Sequence, residues 1–389
     1  MHIYHFTNWK HVIASVTLFY LFRLEPLQEK FIIETTLAST KLTQNEGLSS
    51  LLKWRSEPQA IQRNLQMFER KINSDELVKF IPDVLDALFS ILMETEDQCK
   101  FNNFENVVFK NIIKCISLIT EEGASEQGDY LPRKKNENKS SVKHHHFIPV
   151  LELYINENFY HLLAYEKLLD VLTIIAEDAQ VSPLEAEKTM KVLKYIFKFI
   201  VRSRVLYSEY NQGGRKEEFE EKLKTVLDSL KGIMYYKAEE TQKAQSACLK
   251  NLIESIPDLT NVISQRKLAE VLKSMLCALP DDQLEDEKME ITKDLIQSQI
   301  FEDSECRMVI LPEITKQLKE ILDRSQSNTL RRGRGSGSTA QVIGSRKLLV
   351  SCTSTLGDVL DVLYKINIEG NISNDSVNEG KHNYCANDL

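Results

Sequence analysis

The sequence predicts an all-α protein, an elongated array of stacked helices. Three observations carry that reading. The chain has 389 residues, more than one compact hydrophobic core usually serves. Apolar residues recur at three- and four-residue steps through most of it, the spacing of one helix face. The stretch Lys191–Tyr207, KVLKYIFKFIVRSRVLY, is apolar around most of a helix. Met190, Leu193, Ile196, Phe197, Ile200 and Val201 form one face, and Val192, Tyr195 and Phe199 widen it. Only a narrow line stays polar: Lys191, Lys194, Lys198 and Arg202. Such a helix must be walled in by others, with one basic edge toward water.

Taken in order, the chain opens on a segment that fits no element. Val12–Phe22 is apolar behind Lys10 and His11, roughly the layout of a signal peptide. It is too short to span a bilayer, and Arg23-Leu24-Glu25-Pro26 offers no small-x-small cleavage site. Phe31–Leu37 is short and β-branched and reads as a strand. A lone strand forms no sheet, so it is either paired locally or the end of a domain lying mostly elsewhere. After the polar run Ser39–Asn45 the period becomes helical from Leu48.

Pro58 stands near the start of a helix carrying Ile61, Leu65 and Phe68. Ser74-Asp75-Glu76 opens the next, lined by Leu77, Phe80, Ile81, Val84, Leu88, Ile91 and Leu92, with Pro82 as a candidate kink. Val107–Ile119 follows, then a polar loop at Glu121–Lys143. Further helices are expected at Phe147–Phe159, Leu162–Ala176, Lys188–Tyr207 and, past Gly213-Gly214, Phe219–Met234. Others are expected at Thr241–Ser255, Gln265–Ala278, Lys288–Ser298, Pro312–Leu322 and Lys347–Tyr364. A second flexible insertion is expected at Thr329–Gly344 and a disordered tail at the end. Pro82, Pro149, Pro257 and Pro312 each follow an apolar residue and lead a helical pattern, where a missing N–H costs nothing. Their spacing is uneven, so a strict repeat of the tetratricopeptide or ankyrin kind is not expected. Irregular helix pairs stacked as in armadillo or HEAT arrays, an α-solenoid, fit the pattern.

Composition narrows function by exclusion. The net charge of −8, from 49 basic and 57 acidic residues, lacks the basic surface that a general nucleic-acid binder needs. Cys99, Cys115, Cys248, Cys277, Cys306, Cys352 and Cys385 are odd in number, widely spaced and without a CxxC pair. They read as buried free thiols in a reducing compartment. His144-His145-His146 is eye-catching, but adjacent residues point different ways and no acid or cysteine completes a metal set. No Gly-rich phosphate loop follows a strand. Arg331-Arg332-Gly333-Arg334 could touch RNA or anionic lipid, but reads first as a short basic linker. Trp54 reads as a helix-packing aromatic. The Lys191/Lys194/Lys198/Arg202 line is either a solvated helix face or a docking edge. No catalytic, cofactor-binding or metal-ligating residue is assigned.

Several stretches in order resemble the DOCK (dedicator of cytokinesis) family of exchange factors for Rho-family GTPases. They are Ser39–Asn45, Leu51-Leu52-Lys53-Trp54-Arg55-Ser56, Val78-Lys79-Phe80, Leu85-Asp86-Ala87-Leu88-Phe89 and Leu163-Ala164-Tyr165. The strongest is Phe197–Arg204, followed by Cys306-Arg307 and Ile310-Leu311-Pro312. The subgroup it most resembles is the Rac-activating one similar to Myoblast city. The resemblance implies that residues 27–46 close a lipid-binding β-sandwich and that 47–365 are an armadillo-like region with loops at 121–143 and 329–344. Residues 1–26 and 366–389 are then an N-terminal segment and a tail. It implies a scaffold portion whose exchange domain lies outside this chain, so that the chain is not by itself an enzyme. The implied setting is cytoplasmic, in signalling to the actin cytoskeleton. A Rho-family GTPase and an ELMO-type adaptor are the implied partners of the full-length protein. No nucleic acid and no cofactor is implied, and membrane contact comes only through a domain mostly missing here. The alternative is a stand-alone HEAT/armadillo-like adaptor.

Overall fold

The computed structural model describes residues 43–98, 104–120, 148–280, 284–331, 347–366 and 368. These residues are helical or connecting, with no strand among them. The helices are α1 (Glu46–Leu52), α2 (Ile61–Lys71), α3 (Ser74–Lys79), α4 (Ile81–Gln98), α5 (Phe104–Ile119) and α6 (Ile148–Leu153). Next come α7 (Ala164–Glu177), α8 (Pro183–Lys191), α9 (Leu193–Tyr210), α10 (Lys216–Ile233), α11 (Glu239–Glu254) and α12 (Ile256–Leu259). The last are α13 (Gln265–Ala278), α14 (Glu285–Ile296), α15 (Gln299–Glu302), α16 (Ser304–Arg331) and α17 (347–366). No helix among the described residues is long and apolar enough to cross a membrane. The predicted strand Phe31–Leu37, the 121–143 loop, His144–His146 and the tail after residue 368 lie outside the described residues.

The all-α solenoid expected from periodicity is what forms. One row stacks α5, α7, α10, α13 and α16 in turn. A second stacks α9, α11 and α14, and α17 joins its end through Lys347–Asp286 at 3.2 Å and Lys293–Ser354 at 3.2 Å. Ties within the first row give the directions. Glu166, Asp170 and Glu177 of α7 meet Arg215, Lys222 and Ser229 along α10, so partner numbers rise together and the helices run parallel. The row continues through Lys267–Glu220 at 2.8 Å and Arg266–Glu305 at 3.5 Å. Exposed pairs of this kind each contribute little stability. Their consistent offset fixes which turn of one helix meets which turn of the next.

The structure corrects the central stretch: the expected single helix Lys188–Tyr207 is two. It breaks at Val192, whose φ of −113° and ψ of 10° leave the helical region. Its stacked neighbours break too, between α11 and α12 at Ser255 and between α14 and α15 at Gln297-Ser298. Each break has a hydroxyl bonded back along the chain nearby. Thr189 donates to Glu185 O at 2.9 Å, Ser255 to Asn251 O at 2.6 Å and Ser298 to Leu295 O at 2.7 Å. Such back-bonding bends a helix, and parallel neighbours in contact along their length must bend together.

Three prolines keep the expected place: Pro82, Pro149 and Pro257 sit in the first turns of α4, α6 and α12. Pro82 does not kink a longer helix, because α3 has already ended at Phe80 (φ −125°, ψ 17°). Pro312 departs from expectation, for α16 starts at Ser304 and carries it inside. Its side is exposed, as is Met308 one turn earlier, so the carbonyl it leaves unpaired can meet water. α16 also runs on through Arg331, into the start of the insertion expected at Thr329.

Candidate functional site

The core is one continuous cluster from Leu48 to Val359, and its most aromatic part lies where the segment between α6 and α7 meets α4 and α9. Phe89, Phe159 and Phe199 have ring centroids 4.9–5.2 Å apart. Tyr154 borders them and donates to Asp86 Oδ1 at 2.6 Å. His161 stacks on Phe89 at 5.6 Å, and its Nε2 has no hydrogen-bond partner among the described residues. Burial pushes this imidazole down to about 4. Periodicity could not have singled it out, since a histidine between tyrosine and leucine carries no signal of its own.

Directly beside this cluster, Ser203 and Arg204 tie three helices together. Ser203 Oγ donates to His161 O at 2.7 Å and accepts the Tyr165 N–H at 3.0 Å, closing the turn into α7 onto α9. Arg204 donates from a guanidinium nitrogen to Gly214 O at 2.8 Å, holding the α9–α10 turn. That guanidinium also lies 5.7 Å from the Tyr165 ring, 5.5 Å from Tyr207 and 5.1 Å from Phe219. Burial, and then the Glu166 carboxylate, pushes the Tyr165 phenol up to about 12.

Other stretches quoted above have the same role. The Asn45 side chain accepts the Leu48 N–H at 3.0 Å, capping α1, and donates to Lys71 O at 2.9 Å, closing α2. Trp54 is buried, with the Arg55 guanidinium 5.0 Å from its ring. Arg307 donates to Phe301 O and Glu302 O at 3.0 and 2.9 Å, and Asp303 Oδ1 accepts the Cys306 N–H at 2.9 Å. These last contacts fix the turn from α15 into α16.

The basic line is neither bare nor continuous. Lys191 pairs with Glu187 at 3.0 Å, Lys194 with Glu254 at 2.7 Å and Lys198 with Glu152 at 2.7 Å. Asp258 lies close enough to feel both Lys198 and Glu152, and burial is the main cause that holds its carboxyl above the usual range. The edge is thus neutralised at its three lysines, while the fourth member, Arg202, has its Nε buried without a hydrogen-bond partner among the described residues. Lys198→Ala should leave the fold intact and cost about 0.5–1 kcal/mol. A urea-midpoint shift several times larger would mean that the Glu152–Lys198–Asp258 group holds the row together.

Cys115, Cys248, Cys306 and Cys352 are buried and Cys277 is exposed. Burial pushes the Cys248 and Cys306 thiols up to about 12, and raises those of Cys115, Cys277 and Cys352. None of these thiols is a ready thiolate nucleophile at neutral pH. Cys99 and Cys385 lie outside the described residues. The cleft between α13 and α16, lined by Cys277, Lys288, Glu313 and Arg324, holds about 40 Å³. That is below the roughly 300–1,000 Å³ of small-molecule sites, whereas the adjoining depression lined by Tyr235, Lys237, Pro280 and Arg324 reaches about 500 Å³.

What the arrangement can do is mechanical: it locks helix to helix. The model of the dedicator of cytokinesis (DOCK) TPR region matches residues 57–126 and 137–377. The chain belongs to the DOCK family. Dedicator of cytokinesis protein 3 of mouse and of human is 27% identical over 350 residues, covering 86% of this chain and 15% of each relative. Dedicator of cytokinesis protein 4 of mouse is 28% identical over 305 residues, covering 76% of this chain and 14% of the relative. This chain therefore spans about one-seventh of the length of the curated DOCK relatives it matches. The family description classes the region as TPR, which corrects the expectation against a tetratricopeptide kind; the stacked-helix solenoid stands, and its helices are uneven in length.

The buried histidine of this DOCK segment makes a pH prediction. Its folded-state value of about 4 lies below the usual 6.5, so the unfolded chain binds more protons between those pH values. The stabilisation is complete above about pH 6.5 and is lost as pH falls toward 4. At pH 5 the loss should be about 2 kcal/mol. His161→Phe, which keeps a ring beside Phe89, should melt with a smaller drop between pH 7 and pH 5 than the natural chain. Equal drops would show that the imidazole is not the group responsible.

Proposed function

We propose that this chain is the helical scaffold portion of a guanine-nucleotide exchange factor for Rho-family GTPases of the Rac type. The observation that supports it is the place of the family-like residues: Asn45, Asp86, Ser203, Arg204 and Arg307 are the ones that lock helix to helix. A solenoid held this way keeps attached domains at a set distance and offers a long lateral surface to partners. In this reading the exchange domain lies outside the chain, which is not by itself an enzyme. Residues 27–46 close a lipid-binding β-sandwich, and 47–365 are the helical region between that domain and the catalytic one. A Rho-family GTPase and an ELMO-type adaptor are the partners of the full-length protein. It acts in the cytoplasm, with recruitment to the plasma membrane, in signalling to the actin cytoskeleton.

A pull-down with nucleotide-free Rac, run on the full-length protein and on this chain, tests the assignment. The full-length protein should retain Rac and exchange its nucleotide, and this chain should do neither. Exchange by this chain alone would overturn the placement of catalysis elsewhere.

A further inference from the structure

The far end of the array is apolar where a closed end would be polar. The last unit of a solenoid needs a polar outer face, because an uncovered stacking face shows solvent the surface that neighbours otherwise bury. Among the described residues, α16 and α17 stand last in their rows. α17 turns Cys352, Thr355 and Val359 inward, all buried. Its other face carries Leu356, Leu360 and Tyr364 at four-residue steps, 37%, 59% and 67% exposed. Gly357 shares that face, and nothing lies within 4 Å of where its Cβ would stand.

The neighbouring helix carries a further exposed apolar residue, Met308. Arg324, late in α16, pairs with Glu285 at the start of α14, to which α17 runs parallel. Cys352 Sγ also lies 3.6 Å from Leu318 O. α17 therefore runs back along α16, which brings Tyr364 level with the turn bearing Met308, itself 79% exposed. Exposed large apolar side chains also occur earlier, among them Val181, Leu184 and Tyr210; what sets this end apart is that Leu356, Leu360 and Tyr364 share one helix face at four-residue steps.

We propose that the groove between α16 and α17 is a helix-docking site. Its occupant is an amphipathic α-helix lying parallel to α16 and antiparallel to α17, with apolar residues at i, i+3, i+4 and i+7. The interface is already built three times in the same row, where α10 lies on α7, α13 on α10 and α16 on α13. The open position is the next in that series. Residues 369–389 are a poor source for the occupant, since of their large apolar residues, Ile372, Val377, Tyr384 and Leu389, only Val377 and Tyr384 share a helical step, too few for an apolar stripe. The candidate source is the longer DOCK chain, for the matched segment covers 15% of the mouse relative. The inference rests on family membership and on the exposed groove, and is independent of the exchange reading.

The test uses the full chain and overlapping helix-length peptides from the stretch that follows the matched segment in mouse dedicator of cytokinesis protein 3. One peptide should bind and gain helical circular dichroism. Leu360→Glu should weaken that binding about tenfold or more, as truncating a groove anchor does. The variant should keep the natural melting curve, since Leu360 is exposed. Lys365→Glu, off the apolar face, should bind normally. Absence of binding by every peptide overturns the proposal, as does binding indifferent to Leu360→Glu. So does a dimer of this chain that Leu360→Glu converts to monomer, for a second copy would then be the occupant. A positive peptide result beside a failed Rac pull-down would leave the groove standing and sink only the exchange reading.

Discussion

Ile200→Asp is expected to abolish soluble expression or to lower the melting temperature sharply. Ile200 is fully buried in α9, one residue from Phe199, whose ring meets Phe89 and Phe159. A carboxylate there has no cation to pair with on the apolar side of the helix. An isolated buried charge is among the most costly results of one substitution, on the order of 4 kcal/mol or more. The residue could escape part of that cost by staying protonated, at the expense of an unpaired hydroxyl. Either way the loss exceeds that of Lys198→Ala, two residues away on the paired edge. Circular dichroism melts of the two variants make the comparison. An unchanged melting curve for Ile200→Asp would show that α9 is not buried, and the organisation argued from it would fail.

The second large effect is expected at Arg204. Its guanidinium contacts the rings of Tyr165, Tyr207 and Phe219 and holds the Gly214 carbonyl. Removing it loses a hydrogen bond from a charged donor, worth about 1.5–3 kcal/mol, and cation–π contacts worth roughly 0.5–1 kcal/mol apiece. Arg204→Ala should therefore cost about 3 kcal/mol. Arg204→Lys should recover part of it, because an ammonium keeps the charge but has no plane to stack. Repeat arrays lose structure unit by unit, so the informative readout is local. Amide exchange should rise in α7, α9 and α10 and stay unchanged in α1 and α2. Uniform acceleration across the chain, or none, would mean that Arg204 is not the lock between those helices.

Much of the fold was legible because helix periodicity is local. Gln265–Ala278 stands where the spacing predicted it, and Leu193, Ile196, Phe197, Ile200 and Val201 are all buried. Boundaries were less legible where short-range chemistry competed with the apolar pattern. The break at Val192 sits inside a continuous helical apolar pattern, and the bond from Thr189 back to Glu185 O stands one turn before it. Pro312 shows the converse, for a proline that reads as a helix start is tolerated inside α16 where its turn faces water. The locking role of Ser203 and Arg204 was invisible to spacing. Only their membership in a family-like run marked them, and that mark says nothing of what they touch.

By itself, the sequence determined that this chain is helical, which side of each helix is buried, and which family it resembles. All three depend on residues a few positions apart or on their order along the chain. Tertiary structure alone decided the partners. Glu254 lies sixty residues from Lys194 and Ser203 forty-two from His161, so their meeting depends on how parallel rows stack and bend. Stacking also decided that the apolar face of Leu356, Leu360 and Tyr364 stays open. The spacing of those residues is that of any buried helix, and whether a neighbour covers them is settled by packing across the array.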